Sequence, residues 1–267
     1  MRKWKRDIPK QFRKFHKAVV AVSFAMQGAS NKIYARSKTN RMSRGVFYKL
    51  HAYAIVLHNS ILSLCDDGWS QVTPALLRAM LDVFANLLVI AEKDSEYRAF
   101  KYFYFYHMKA ENDPNIPKRN KERLRRQMTE GLKELEPVVR ARIEKFIRAK
   151  KFGTYWFWSD YWSPSDIFRK LTERPSQMIL LYGSYSAASH GGHVGSVMFL
   201  DQPDQIDTRQ RSNPRSAKIA VIASCRHLLE ICGLRNEFQE LGLTKMYSDL
   251  WEVFLSFESA MPPIKSS

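Results

Sequence analysis

Arg78, Asp82 and Asn86 recur at steps of four inside the apolar run TPALLRAMLDVFANLLVIAE (Thr73 to Glu92), so on a helix they share one face. A guanidinium held by a carboxylate one turn away can present itself to a phosphate or to another carboxylate; the same pair, fully covered, only fixes helix register. A second polar group, Tyr182, Tyr185, Ser186, Ser189, His190 and His193, sits in SQMILLYGSYSAASHGGH (Ser176 to His193). There, hydroxyls and imidazoles at steps of three and four approach a glycine-rich helix end. The helix dipole at such an end favours a protonated imidazole, and a nearby acid such as Asp82 would raise its pKa further, which suits proton transfer near neutral pH. A capping role for the same histidine is the simpler alternative. Burying charge or imidazole costs several kcal/mol unless each group is partnered. Arg78, Asp82, Asn86, Tyr185, Ser189 and His190 are therefore expected to meet between two helices, and His190, Tyr185, Arg78, Asp82 and Ser189 form the candidate catalytic set.

Several chemistries are excluded or disfavoured at this level. Ser189 and His190 are sequence neighbours, about 100° apart on a helix, and no GxSxG turn accompanies them, so they are not a hydrolase pair. HGGH (His190 to His193) supplies two imidazoles without an HExxH or ExxH companion, so no metal site is expected. No motif for a cofactor is present, and none is expected. Cys65, Cys225 and Cys232 are an odd count in apolar contexts with no CxxC pair, which fits neither a disulfide framework nor zinc and points to a reducing cytoplasm.

The formal net charge of +17 is unevenly distributed. Residues 1–49 carry fourteen Lys and Arg against Asp7 alone, residues 118–151 carry thirteen against five Glu, and the remainder is slightly acidic. Two basic segments on such a body make a directional field suited to a polyanion such as RNA, DNA or an anionic membrane surface, or to no partner beyond water. Arg36, Lys38, Arg41, Lys118, Arg119, Lys121, Arg123, Arg125 and Arg126 are the candidate nucleic-acid contacts.

Helical periodicity must position these groups, because strand-like alternation is nearly absent. The pattern predicts helices over about 9–29, 43–65, 73–93 and 96–110, the last with the aromatic run Tyr102 to His107 covered. Thr73 as an N-cap followed by Pro74 at the first helical position is a start signal, and Ser43 is read as a cap. Residues 30–42 read as a basic linker, and residues 118–151 as a charged helical hairpin broken near Glu136 and Pro137. TYWFWSDYWSPSD (Thr154 to Asp166) reads as a turn plugging a hydrophobic edge, with Ser165 or Asp166 capping a short helix to Glu173. Helices over about 175–190, 215–232 and 244–259 follow, with residues 197–214 as a loop. The expected fold is all-α: one bundle of about eight to ten helices over 1–267, with a basic extension 1–42 and a protruding basic hairpin 118–151. The longest apolar run carries Asp82 and Asn86 and is too short to span a bilayer, so no transmembrane helix is expected.

LLRAMLDVFANLLVI, the Trp-rich segment and YGSYSAASHGG together resemble an uncharacterised bacterial all-helical family catalogued as a domain of unknown function. The resemblance covers about residues 45–235. It implies a helical fold and a cluster formed by Arg78, Asp82, Trp158 or Trp162, Tyr185, Ser189 and His190, with Asp82 where that family more usually has Glu, but no reaction. Arg44 and His51 also match the loose Arg-and-His spacing of the HEPN ribonucleases, helical enzymes that cut RNA without metal at a dimer interface; the Arg and His content alone produces such a spacing about as often. That resemblance implies a metal-independent ribonuclease of toxin or phage-defence type working as a homodimer. The contrasting expectation is a non-enzymatic helical module that senses a ligand or partner and whose polar cluster is structural.

Overall fold

Apolar residues on nearly every side of the Thr73–Glu92 helix require cover all round, and the remaining elements supply it. The computed structural model describes residues 10–36, 41–148, 159–189 and 214–259; these contain ten α-helices, a short 3-10 turn and no strand, the all-α bundle expected from the periodicity. In chain order they are α1 (Lys10–Arg36), α2 (Arg41–Asp66), α3 (Thr73–Glu92), α4 (Ser95–Asn112), α5 (Lys118–Glu134), α6 (Pro137–Arg148), α7 (Pro164–Leu171), α8 (Pro175–Ser189), α9 (Pro214–Gln239) and α10 (Thr244–Ser259).

Central α3 packs on α2, α4, α7, α8 and α9, and α1 and α10 close the far side of α9. Phe15, Val19, Val22 and Met26 of α1, and Phe47, Leu50, Ala54, Leu57 and Ile61 of α2, form the stripes that the three-and-four spacing marks, all buried. Together with Leu81, Ile90, Leu228 and Leu229 they build one continuous core. Among the described helices, α3 with its preceding turn (70–92) is the one long and apolar enough to cross a membrane, but its apolar residues are accounted for by this packing.

The hairpin is held on α4 by a smaller cluster of its own: Phe100 and Tyr104 of α4 with Leu135 and Ile143, ringed by Met128, Leu132 and Phe146. No residue of α5 is buried, so its polar face stands in solvent. On α4, Phe100, Tyr104 and Phe105 are buried while Tyr102, Phe103 and Tyr106 are half-buried, the cover expected for that aromatic run.

Four boundaries differ from the periodicity. Residues 30–36 continue α1 instead of starting a linker, because Ser30 is buried and its hydroxyl donates to Gln239 Oε1 at 2.9 Å. The start of α2 is capped from outside: the backbone amides of Met42 and Ser43 and the Ser43 hydroxyl all donate to the Glu96 carboxylate (3.2, 2.8 and 2.7 Å), so Ser43 is not the cap. Ser163, not Ser165 or Asp166, caps α7, its Oγ accepting from the Asp166 amide at 3.2 Å. Finally, α9 passes through Gly233 to Gln239, and the glycine there makes room for Tyr247: an added Cβ would lie 2.6 Å from Tyr247 Oη. Glycine at this point is a close-packing residue and not a stop.

Trp162 is 86% exposed, so the aromatic segment does not plug an edge there. Instead Tyr161 and Asp160 tie it to the body. The Tyr161 hydroxyl donates to Glu92 (2.9 Å), which also pairs with buried Arg98 (2.7 Å), and Lys101 pairs with Asp160 (2.7 Å).

Candidate functional site

Helices α3 and α8 do pack together, but they bring a different tyrosine to Arg78 and Asp82 than the sequence suggests. The Tyr182 hydroxyl donates to Asp82 Oδ1 at 3.1 Å and accepts from Arg78 Nη2 at 3.4 Å, while the guanidinium carbon lies 5.4 Å from the centre of the Tyr182 ring. Asn86 donates to the Asp82 backbone carbonyl at 2.7 Å, which is a helical back-bond and not a side-chain relay. Burial raises the Asp82 carboxyl pKa, opposed by the Tyr182 hydroxyl and then by Arg78. Tyr182→Phe keeps the ring beneath the guanidinium and removes only the hydroxyl; it is expected to cost about 1 kcal/mol in urea unfolding.

Tyr185 points elsewhere. Its ring packs edge-on against His227 (6.0 Å between centres), where Glu230 accepts from Arg226 at 3.3 Å and lies 3.4 Å from His227 Nδ1. Its hydroxyl pKa is pushed up to about 12, first by burial and then by Glu230. Ser189 is exposed and donates to the Tyr185 carbonyl at 2.6 Å. The expected convergence of Tyr185 and Ser189 with Arg78 and Asp82 is thus corrected to Tyr182 alone. His190, Trp158 and Lys38 lie outside the described residues, as does the side chain of Arg36.

His51 is fully buried. Arg235 Nη1 donates to its Nδ1, leaving Nε2–H to donate to Cys232 Sγ at 3.4 Å; the thiol then meets Ser23 Oγ (3.3 Å), whose hydrogen goes to the Val19 carbonyl (2.9 Å). Burial, with Arg235 second, holds the His51 pKa well below its ordinary 6.5. An imidazole so enclosed cannot exchange a proton with a bound strand, so the catalytic role expected for His51, and with it the Arg44 and His51 pairing, is corrected to a structural one. Arg44 is half-buried; its backbone carbonyl accepts from Gln239 Nε2 at 3.5 Å, and its Nη1 has no partner among the described residues.

A second buried chain was not apparent from spacing, because its members lie far apart in sequence. His16 Nδ1 and His58 Nε2 are 2.7 Å apart, His58 Nδ1 reaches Ser224 Oγ at 3.0 Å, and Ser224 donates to the Val221 carbonyl at 2.9 Å. One neutral tautomer of each ring satisfies every bond: His16 donates to His58, and His58 donates to Ser224. Burial, then the neighbouring His16, lowers the His58 pKa to about 3.

On the hairpin, several of the basic side chains remain available. Lys121 and Arg125 are committed to holding it: Lys121 Nζ donates to the Glu111 carbonyl (2.7 Å), and Arg125 grips the Glu111 carboxylate through Nη2 (2.6 Å) and Nε (3.0 Å). Arg41 faces Glu134 at 3.9 Å. Lys118, Arg119, Arg123 and Arg126 are exposed and, among the described residues, enter no ion pair; Arg119, Arg123 and Arg126 follow steps of four and three, one face of α5 about 10 Å long. No group of three or more His, Cys, Asp and Glu side chains suited to a metal occurs among the described residues.

Residues 44–207 match the model of a family described as "Family of unknown function (DUF5677)". No curated protein and no solved structure matches the chain. The chain belongs to that family of unknown function, in keeping with the resemblance of its α3, Trp-rich and α8 segments. The matched stretch runs from the first turns of α2 through α8, and the closing helices α1, α9 and α10 lie outside it.

Proposed function

We propose that this DUF5677 member is a polyanion-binding protein whose partner is RNA, gripped by the exposed face of α5. What carries the reading is the division of labour on the hairpin: Lys121 and Arg125 anchor it, whereas Lys118, Arg119, Arg123 and Arg126 face solvent. Glu122 and Glu130 interrupt the row without cancelling it. The field of a +17 chain adds long-range attraction.

Binding without cleavage is the form of the proposal. Among the described residues, the groups expected to do acid–base work do not converge: His51 is enclosed, Tyr185 packs on His227, and Ser189 bonds to its own helix. The buried His51–Arg235 and His58–Ser224 pairs fix helix packing and are closed to a bound strand, which supports binding without chemistry.

The test is salt dependence. Affinity for a single-stranded RNA should fall steeply with salt, and replacing Arg119, Arg123 and Arg126 together with Gln should flatten the slope of log K against log salt by about 2, since each phosphate contact on a single strand contributes about 0.7. Fluorescence anisotropy titrations at four salt concentrations measure it. Absence of binding at low salt, or an unchanged slope in the triple variant, removes α5 as the interface.

A further inference from the structure

Between α2, α4 and the hairpin lies a cleft of about 650 Å³. Its walls are rich in rings: Tyr53, which is 51% exposed, and half-buried Tyr102, Phe103 and Tyr106. Two cations stand at its side, Arg41 and Lys49, the latter with Nζ 5.9 Å from the centre of the Phe103 ring. On α5 the cleft is bordered by Gln127, Gly131 and Glu134, a row at steps of four and three that continues backward through Arg123 and Arg119. The guanidinium row therefore leads into the aromatic cleft along one helix face.

The two ends of this track differ in charge. Toward the start of α5 it is cationic; at the hairpin turn Glu134 and Glu136 line the cleft, while the third carboxylate, Glu96, is already occupied by the first amides of α2. Phosphates are thus drawn to Arg119 and Arg123, whereas in the cleft Glu134 and Glu136 offset Arg41 and Lys49 and leave no net positive charge to hold one. A flat, neutral group with N–H edges is suited to the interior, because rings can stack on its faces and carboxylates accept from its edge. A nucleobase joined to a phosphate chain has both properties. Base-paired strands keep their bases stacked on one another and cannot present one to such a cleft, whereas single strands can.

We propose that the cleft seats an unstacked nucleobase of a single strand whose phosphates run along Arg119, Arg123 and Arg126. The proposal rests on the polyanion reading and narrows its substrate from any polyanion to single-stranded nucleic acid. Bases with an exocyclic amino group, cytosine, adenine and guanine, are preferred over uracil.

Two variants of the whole chain probe it without touching the basic row. Tyr53→Ala removes an exposed ring. Gly45→Leu fills the cleft from α2: Gly45 lines it, and a Cβ built there meets nothing within 4 Å. Both should be well folded by circular dichroism, since Gly45→Leu replaces the weaker helix former. The probes are fluorescein-labelled 12-mers, oligo-C and oligo-U RNA, an oligo-C DNA, an RNA duplex and inorganic polyphosphate. The parent is expected to bind oligo-C more tightly than oligo-U or the duplex, and each variant to weaken oligo-C binding about tenfold while leaving the salt slope and the polyphosphate affinity unchanged. Ultraviolet cross-links from bound RNA should map to α2 and α4. RNA and DNA arms separate recognition of the sugar from recognition of the base. If the parent binds oligo-C, duplex and polyphosphate alike, or if both variants bind oligo-C like the parent, the cleft is not a base site although α5 remains a polyanion interface. If no probe binds at low salt, the polyanion reading itself fails and the base site with it.

Discussion

Lowering the pH from 7.5 to about 5 is expected to destabilise this protein steeply, with histidines rather than carboxylates as the main cause. His58 titrates at about 3 when folded against 6.5 unfolded, and His51 is displaced in the same direction. The folded-state pKa is depressed, so the folded chain binds fewer protons than the unfolded one between these values. The stability the neutral rings confer is complete above pH 6.5 and is lost as pH falls toward 3. His58 removes about 1.4 kcal/mol per pH unit below 6.5, hence about 2 kcal/mol by about pH 5, and His51 adds to the loss in the same direction, out of a typical total of roughly 5–15 kcal/mol. His16 and His107, whose pKa values burial also lowers, act in the same sense. Urea unfolding at several pH values measures the slope. His58→Gln, which keeps an acceptor toward His16 and a donor toward Ser224 but carries no titrating group, should reduce that slope by about 1.4 kcal/mol per unit. A stability independent of pH between 7 and 5 would contradict the arrangement of both rings.

Arg235→Ala is expected to destabilise the fold by about 3–5 kcal/mol in chemical denaturation. Among the described residues Arg235 is the largest fully buried side chain, yet its contacts are neutral: His51, the Gln239 amide oxygen at 3.0 Å, and the Tyr48 ring at 5.6 Å. Burial lowers its pKa to about 10, opposed mainly by Cys232, so it remains charged at pH 7. One of its nitrogens, Nη2, has no partner among the described residues. Truncation opens a cavity and strands His51 Nδ1 without a donor, and both costs add. Replacing the polar groups together behaves differently, because an apolar pair of similar volume does not require solvation. Arg235→Met with His51→Leu is therefore expected to recover most of the stability lost in Arg235→Ala. If the double replacement is as damaging as the truncation, the network stabilises the fold through more than filling space and satisfying its own members.

Elements that announce themselves by period were legible: the α1 and α2 stripes and the break at Glu136 and Pro137 appear where spacing put them, and α3 starts at Thr73, although Thr73 is its first helical residue and not its cap, the hydroxyl donating back to the Ser70 carbonyl at 2.6 Å. The hidden parts share one cause, that a partner far away in sequence overrides the local signal. Gly233 resembles a helix end until Tyr247 is known to lie against it, and that misreading concealed Arg235, Asn236 and Gln239, the polar heart of α9. Tyr182 and Tyr185 are three residues apart on α8, whose hydroxyls and methyls occur on every side, so nothing local sets which tyrosine turns toward α3. His58 lies seven residues from His51 on one face of α2, yet the two enter separate networks because α1 supplies His16 to one and α9 supplies Arg235 to the other.

Met42 is the one residue, among those described, that packs against both hydrophobic clusters, the large one of the body and the small one beneath the hairpin. Such thin coupling makes the arm a module. Its outer charges can drift while the scaffold retains its folding free energy, provided the inner face still covers Phe100 and Tyr104. Selection on what the molecule grips is thereby separated from selection on whether it holds together.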